Sequence, residues 1–256
     1  MNLYLDETVS LRYSNILQKI RVMSEDWVSR NLFCPSCNRI NLSVFPNNNP
    51  IGDFYCTKCT EEFELKSTNG NFGSKVVDGT YSKMISRITS NQNPNFLFLS
   101  YNSNYLVNNL FLIPKHFLIP EIIEKRKPLS PSARRAGWIG CNILLSELPQ
   151  IGRISIIKNA TFIDQNIVNL QWQKAFEIRK QKNSAKGWLF EILKKIEKLN
   201  KSVFSLYDVY EYEMELMKTY PENKNIRPKI RQQLQKLRDL GYIEFLGSGK
   251  YFYKIT

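Results

Sequence analysis

Three residues of this 256-residue chain have the types and spacing that hydrolysis of a phosphodiester bond requires. Asp53 is followed after ten residues by Glu64, and Lys66 comes two positions later. Two carboxylates can hold a divalent cation that activates water, and a lysine beside them can orient that water and stabilise the developing charge. Because side chains alternate along a strand, Glu64 and Lys66 would share one face. The same pattern also fits a surface acid and an ion-paired lysine.

Four of the five cysteines form two Cys-x-x-Cys pairs, Cys34 with Cys37 and Cys56 with Cys59. Two such pairs, roughly twenty residues apart, predict one tetrahedral Zn²⁺ site. With sulfur at all four positions the site would be structural, because no position stays open for a substrate. Redox-active or free core cysteines are the alternative. We expect Cys141 to be a small buried hydrophobe and not a nucleophile.

The single histidine, His116, lies in an apolar stretch, where a satisfied core or surface imidazole is expected. Nucleases with a histidine general base place it beside a metal-binding cluster, and the sequence offers no such cluster around His116. If this chain cleaves nucleic acid, its water must therefore be activated by a metal ion and Lys66.

The composition favours a polyanionic partner and a large core. Lys and Arg number 36 against 23 Asp and Glu, a formal net charge of +13, and 43% of the residues are hydrophobic. Basic residues outnumber acidic ones in both residues 1–182 and residues 183–256. Such a surplus favours nucleic acid, with a merely basic soluble protein as the alternative.

The N-terminal residues lack the basic start and apolar stretch of a signal peptide. No apolar run approaches the ~20 residues of a membrane span. We therefore expect an intracellular protein, in which paired cysteines bind metal and do not form disulfides. The chain is also rich in Asn, Lys and Ile, which is typical of an A·T-rich bacterial genome and favours the bacterial cytoplasm.

The N-terminal part has the order strand, strand, helix, strand, which is typical of an α/β core around a mixed sheet. At its start Leu17, Ile20 and Trp27 would face the core, and Ser24 would cap a second helix. The predicted elements are a helical segment over residues 8–31, cysteine loops and strands over 34–66, a polar loop over 67–74, a helix over 78–90, and strands over 96–101, 106–113 and 153–158.

A polar basic stretch over residues 179–187 is interpreted as a linker, so the predicted domains are residues 1–182 and 183–256. The second domain begins with a helix whose buried face carries Trp188, Ile192, Ile196 and Leu199. Ser205 would cap a second helix that runs to about residue 219. A third helix over 228–241 and a β-hairpin around the turn at 247–249 complete a winged helix-turn-helix.

The exposed face of the third helix is a candidate for reading bases. Arginine recognises guanine and glutamine recognises adenine through paired hydrogen bonds in the major groove. A solvated face on an ordinary helix is the alternative. The candidate contacts are Lys229, Arg231, Gln232, Gln235 and Lys236.

Segments along nearly the whole chain resemble the DpnI-type methyl-directed restriction endonucleases. They are the paired cysteines, residues 25–28 (EDWV), 53–56 (DFYC), 61–67 (EEFELKS), 133–142 (ARRAGWIGCN) and 229–235 (KIRQQLQ). The resemblance implies an α/β core of the PD-(D/E)xK nuclease fold with an inserted zinc site, followed by a winged helix-turn-helix domain. It also implies Mg²⁺-dependent cleavage of double-stranded DNA at GATC sites whose adenine is methylated, with both domains reading the methylated site.

In this family Asp53, Glu64 and Lys66 would be the catalytic residues. Asp53, Glu64 and the Leu65 carbonyl would hold Mg²⁺, and zinc would pin the loop between the two carboxylates. Because a methyl group offers no hydrogen bond, it calls for an apolar contact. Trp138 is the candidate for that contact. The alternative is that Trp138 is simply a buried residue beside surface arginines. Arg134 and Arg135 would clamp phosphates, and Ser132 in the same loop is a further candidate DNA contact.

Two rival functions stay open at this point. One is a zinc-containing winged-helix regulator that binds DNA without cutting it, which leaves Asp53, Glu64 and Lys66 without use. The other is a nuclease without a methyl requirement. One active site per chain must cleave two strands, so either two copies meet on the DNA or one copy rebinds. We expect a monomer that acts twice and needs no protein partner.

Overall fold

The computed structural model describes residues 2–46, 49, 52–90, 93–180 and 183–254. This described chain forms two compact units. The first comprises residues 1–146 and 152–176, and the second comprises residues 147–151 and 177–256. The domain boundary predicted between residues 182 and 183 stays a prediction, and Gln181 and Lys182 lie outside the described residues.

The first unit is built on a mixed sheet, as predicted. Among the described residues it has seven strands in the order β1-β2-β3-β5-β6-β9-β10, with β3 and β5 parallel and the other neighbours antiparallel. All residues of β5 are buried, which explains its continuous apolar sequence. The strands are β1 (Ser43–Val44), β2 (Phe54–Tyr55), β3 (Glu62–Asn69), β5 (Asn95–Tyr101), β6 (Val107–Ile113), β9 (Ile154–Lys158) and β10 (Thr161–Phe162).

Helix α1 (Ile16–Asn31) packs against β3 and buries Trp27, whose indole N–H donates to the Asn2 carbonyl at 2.9 Å. The predicted cap at Ser24 is wrong, because its hydroxyl donates to the Ile20 carbonyl inside one continuous helix. The predicted core position of Leu17 is also wrong. This side chain lies in the first turn and is 76% exposed.

The region between β3 and β5 departs from the predictions. Residues 67–69 belong to β3 and not to a loop, and the predicted helix start at 78 is wrong. Strand β4 (Lys75–Thr80) occupies that position, and helix α2 (Tyr81–Thr89) follows it. The described residues place β4 in a second, three-stranded sheet, beside β8 (Gly140–Leu144) and β7 (Ile123–Lys125). Pairing with the distant β8 thus overrides the local helical pattern.

The second unit has the predicted winged-helix order. Helix α3 (Gln165–Glu177) comes before it in the chain, and helix α4 (Asn183–Lys198) buries Trp188, Ile192 and Ile196. The start of α4 shows that residues 183–187 are helical and not a linker. The predicted second helix is interrupted, because α5 (Leu206–Tyr210) and α6 (Glu213–Thr219) are separate. Helix α7 (Ile226–Asp239) buries the predicted stripe of Ile230, Leu234 and Leu237. Within the described residues, β11 (Val203–Ser205), β13 (Lys250–Tyr253) and β12 (Ile243–Gly247) form a three-stranded sheet.

No helix in the described ranges is both long enough and apolar enough to cross a membrane.

The capping box at the start of α5 gives a first prediction. Ser205 accepts from the Asp208 N–H at 3.2 Å, and the Asp208 carboxylate accepts from the Ser205 N–H at 2.6 Å. We expect Ser205→Ala to lower the free energy of unfolding of the second unit by about 1 kcal/mol, measured by denaturant titration.

Hydrogen bonds from Lys201 and then Ser205 lower the pKa of Asp208. The contribution of Asp208 is therefore full above the ordinary pKa of about 3.9 and is lost as the pH falls below it.

Ser202→Ala is the matched control, because the described structure shows no hydrogen bond from this exposed hydroxyl. An equal loss in both variants would contradict the cap.

Candidate active site and zinc centre

Asp53 is fixed against β3 by its backbone and by its side chain. Its N–H donates to the Phe63 carbonyl at 2.8 Å, and its Oδ2 accepts from the Leu65 N–H at 2.7 Å. The residue before it must be small, because a Cβ on Gly52 would lie 2.8 Å from the Phe63 carbonyl oxygen. Gly52 thus permits the close approach that brings Asp53 to the strand carrying the other two candidate residues.

Glu64 and Lys66 share one face of β3, as predicted, while Phe63 is fully buried on the other. Lys66 Nζ lies 2.6 Å from Glu64 Oε1 and 2.8 Å from Asp78 Oδ1. The second oxygen of Glu64 lies 2.8 Å from Arg87 Nη2 on α2. The predicted residues therefore come together, and two charged residues that the sequence analysis missed, Asp78 and Arg87, join them.

Burial and mutual repulsion shape the electrostatics of this site. Burial, and secondarily the nearby Glu64 carboxylate, raise the pKa of Asp53, although the Leu65 N–H opposes them. Burial alone would lower the pKa of Lys66, but Glu64 and Asp78 outweigh it, so the pKa is raised and Lys66 stays charged. Crowded, partly desolvated carboxylates of this kind favour a bound cation.

A cleft of about 150 Å³ opens beside Asp53 and adds another carboxylate. Glu25 on α1 lines it, together with Arg21, whose Nε is 3.6 Å from Glu25 Oε1. Burial and then Asp53 raise the pKa of Glu25, while Arg21 lowers it. Glu25 is not among the site residues predicted from the sequence, although it lies in the EDWV segment and one helical turn from Arg21.

The backbone of Leu65 also suits a cation site. In a strand, the N–H and C=O of one residue point to the same edge. Because the Leu65 N–H donates to Asp53, its carbonyl faces the same side as Asp53 and points away from the neighbouring strand β5. The oxygens of Asp53, Glu64 and Leu65 form a donor set of the kind that Mg²⁺ prefers.

The four predicted zinc ligands converge. The sulfurs of Cys34, Cys37, Cys56 and Cys59 all lie within 4.8 Å of one another. Cys34 Sγ and Cys59 Sγ are 3.5 Å apart, as are Cys37 Sγ and Cys56 Sγ. Tetrahedral Zn²⁺ with bonds of about 2.3 Å separates its sulfurs by about 3.8 Å, so the cluster fits this ion.

The two cysteine turns have the same backbone geometry. In each, the residue four places after the first cysteine has a positive φ, 60° at Asn38 and 59° at Thr60. Its N–H donates to the first cysteine's carbonyl, at 2.8 Å to Cys34 and at 2.9 Å to Cys56. Burial raises the pKa of the Cys56 thiol, but hydrogen bonds from the N–H groups of Cys59 and Lys58 outweigh burial and lower this pKa to about 7.

The second cysteine turn connects the two carboxylates of the candidate site. It closes the hairpin between β2 and β3, in which Phe54 pairs with Phe63 and Tyr55 with Glu62. Asp53 precedes this hairpin and Glu64 follows its paired residues. A metal ion in the cysteine cluster would therefore fix the register that places Asp53 beside β3.

Trp138, a candidate base contact, is half-buried in the loop before β8. Its indole N–H donates to Thr80 Oγ1 at 3.1 Å, and the Arg135 guanidinium lies 4.8 Å from its ring centre. Ser132, Arg134 and Arg135 are exposed. The loop thus presents two exposed arginines, one of them over the Trp138 ring, which suits contacts with phosphate and base.

The candidate contacts on α7 differ in accessibility. Arg231, Gln232 and Gln235 are exposed, whereas Lys229 and Lys236 are partly covered. Lys229 Nζ lies 5.8 Å from the Trp188 ring centre, and Arg231 Nη1 donates to the Tyr210 hydroxyl at 2.9 Å.

His116 and Cys141, which were expected to have structural places, are both buried and hydrogen-bonded. His116 is buried, and its Nε2 donates to the Ala175 carbonyl at 2.6 Å. Cys141 is fully buried and its thiol donates to the Gly79 carbonyl at 3.4 Å. Burial first, and then the Asp78 carboxylate, raise the pKa of Cys141 to about 11, which suits an inert thiol.

The cysteine cluster yields a prediction about metal content. We expect Cys56→Ser to reduce zinc from one ion per chain to well below one, because a serine hydroxyl is a poor ligand for this ion. The midpoint of thermal unfolding should fall with it, since metal binding and folding are coupled. Elemental analysis and calorimetry measure both quantities.

Cys141→Ser serves as the control, because this cysteine lies outside the cluster. Full zinc retention by Cys56→Ser would contradict the four-sulfur site.

Comparison with known families agrees with the resemblance noted in the sequence. The model of the DpnI family, described as the Dam-replacing family, matches residues 1–181. A model of the Dam-replacing HTH domain matches residues 184–253. The first match implies a site-specific nuclease of a restriction system, and the second a DNA-binding domain. The chain therefore belongs to the DpnI, or Dam-replacing, family.

Proposed function

We propose that this chain is a methyl-directed endonuclease. It hydrolyses phosphodiester bonds of double-stranded DNA at GATC sites with methylated adenine, and it requires Mg²⁺. The observation that carries the proposal is the convergence of Asp53, Glu64 and Lys66 at strand β3, in a chain of this family.

The residues divide the work of hydrolysis. Asp53, Glu64 and the Leu65 carbonyl would hold Mg²⁺, which when bound polarises the phosphate and lowers the pKa of its water. Lys66 orients the attacking water and stabilises the negative charge that develops on the phosphate. Its charged form suits this task, because Glu64 and Asp78 keep its pKa raised.

Arg87 has a use that the sequence analysis did not foresee. In the protein alone its guanidinium neutralises Glu64, at 2.8 Å from Oε2. Glu64 would hold Mg²⁺ with the same carboxylate, so this pairing would then be shared with the metal ion. The Arg87 guanidinium, next to the site, is also suited to contact the scissile phosphate, a ligand that a guanidinium binds well.

Recognition is assigned to two surfaces, one in each of the domains proposed as residues 1–182 and 183–256. In the nuclease domain, Trp138 contacts the methyl group while Arg134 and Arg135 hold phosphates and Ser132 adds a polar contact. In the winged-helix domain, Arg231, Gln232 and Gln235 read base edges, with Lys229 as a further contact. A monomer cleaves the two strands in successive events.

The decisive experiment digests one plasmid, prepared with and without adenine methylation at GATC, in the presence of Mg²⁺. The wild-type chain should cut the methylated plasmid alone. Lys66→Ala should lower the cleavage rate about 100- to 1000-fold, because it removes one stabilising donor, and should leave binding of the methylated duplex intact.

Each other outcome of the digest has a definite meaning. Cutting of both plasmids would remove the methyl requirement and keep the catalytic residues. Failure of folded, zinc-loaded protein to cut either plasmid would instead favour the DNA-binding regulator.

Trp138 gives a separate prediction about methyl recognition. We expect Trp138→Ala to slow cleavage of the methylated site about 10-fold or more, in the range of one lost base contact. The thermal midpoint should change little, because the ring is only half-buried. Trp138→Phe, which keeps an apolar ring but loses the bond to Thr80, should retain most of the activity. Equal losses of activity and stability in Trp138→Ala would argue for a purely structural tryptophan.

A further inference from the structure

Strand β4 buries a charged side chain and exposes an apolar one, which is the reverse of the usual pattern in a sheet. Asp78 faces inward, with 11% of its side chain exposed, whereas the neighbouring Val77 is 63% exposed. Aspartate is disfavoured in strands, and a buried carboxylate costs free energy unless it is paired. The strand would pack more favourably with the apolar residue inward. Such a violation of local preference points to a use elsewhere in the structure.

The contacts of Asp78 identify that use. Its Oδ1 accepts from Lys66 Nζ at 2.8 Å and from the Gly79 N–H at 2.7 Å. Its Oδ2 is buried and has no hydrogen-bond partner among the described residues. Lys66 is therefore the side-chain partner of the Asp78 carboxylate, and the hydrogen bond from the Gly79 N–H fixes the orientation of that carboxylate.

A β-bulge at Gly79 makes this orientation possible. Asp78 pairs with Cys141 and Thr80 pairs with Gly140, so Gly79 has no partner in the ladder between β4 and β8. Its N–H is consequently available to the Asp78 carboxylate. Bulges re-aim side chains next to active sites, and this one directs Asp78 across to a lysine on a different sheet.

Glu64 by itself cannot hold Lys66 during the reaction. In the proposed function its carboxylate must also bind a divalent cation, which weakens its attraction for the ammonium group. Asp78 comes from another strand and is not among the proposed cation ligands. It can hold Lys66 in place while Glu64 is occupied.

We infer that Asp78 is a positioning residue that holds Lys66 in its reactive place during phosphodiester hydrolysis. The inference rests on the proposed function, since it requires Lys66 to act on the substrate. It predicts that Asp78 affects the chemical step solely through Lys66.

A double-mutant cycle tests this dependence. Single-turnover cleavage of a methylated duplex is measured with Mg²⁺ for the wild type, Asp78→Asn, Lys66→Ala and the double variant. Asp78→Asn should slow the reaction about 10- to 100-fold, the cost of a misplaced catalytic group. It should leave unchanged the dissociation constant for the duplex, measured without Mg²⁺. In the Lys66→Ala background the same change should cause no further loss, because residues that act as a unit are not additive.

Glu124→Gln is the matched control. Glu124 also pairs with a lysine in the second sheet, Lys75 at 2.6 Å, but both side chains are more than one-third exposed. This variant should cleave at the wild-type rate. An unchanged rate for Asp78→Asn, or the same fold loss in both backgrounds, would overturn the inference.

A crystal structure of Asp78→Asn provides a readout that does not need cleavage. Lys66 Nζ should move away from residue 78, and an unmoved Lys66 would overturn the inference. If the wild type cuts neither plasmid, the proposed function fails by itself. The position of Lys66 in the variant then still decides whether Asp78 holds it.

Discussion

Repulsion between carboxylates is the constraint on which the candidate site depends. Asp53, Glu64 and Asp78 are all largely removed from water, and like charges in such a place destabilise the folded chain. Lys66 lies between Glu64 and Asp78, and Arg87 takes the other oxygen of Glu64. Lys66 and Arg87 thus already offset the charge of Glu64, where a cation would bind, and their positive charge would attract a phosphate.

The architecture around the site serves to hold this charge cluster together. Gly52 lets the chain before β2 touch β3, and the second cysteine turn closes the hairpin that sets the register of the two strands. The four-sulfur cluster lies in the loop beside the candidate site, and zinc held by four cysteines would be structural, since it has no open position. A metal ion in this cluster would stabilise the hairpin and with it the position of Asp53.

The second sheet supports both Trp138, the candidate base contact, and Lys66, the candidate catalytic lysine. Asp78 and Thr80 lie on either side of one bulge. Lys66 donates a hydrogen bond to Asp78, and Trp138 donates one to Thr80. Nearness of this kind is not by itself coupling. A displacement of β4 would, however, move the hydrogen-bond partners of both residues. Pairing of β4 with β8 holds this strand in place.

The sequence by itself determined the residues whose chemistry depends on type and short spacing. Glu64 and Lys66 share a face because strands have a period of two, the cysteines meet because each pair fits one turn, and the buried stripe of α7 follows helical periodicity. Tertiary structure alone decided that Glu25, Asp78 and Arg87 join the site, since they come from α1, β4 and α2. It also made residues 78–80 a strand, through pairing with β8 some sixty positions away. Local periodicity carries no information about such distant partners, and distant partners set the electrostatics of this site.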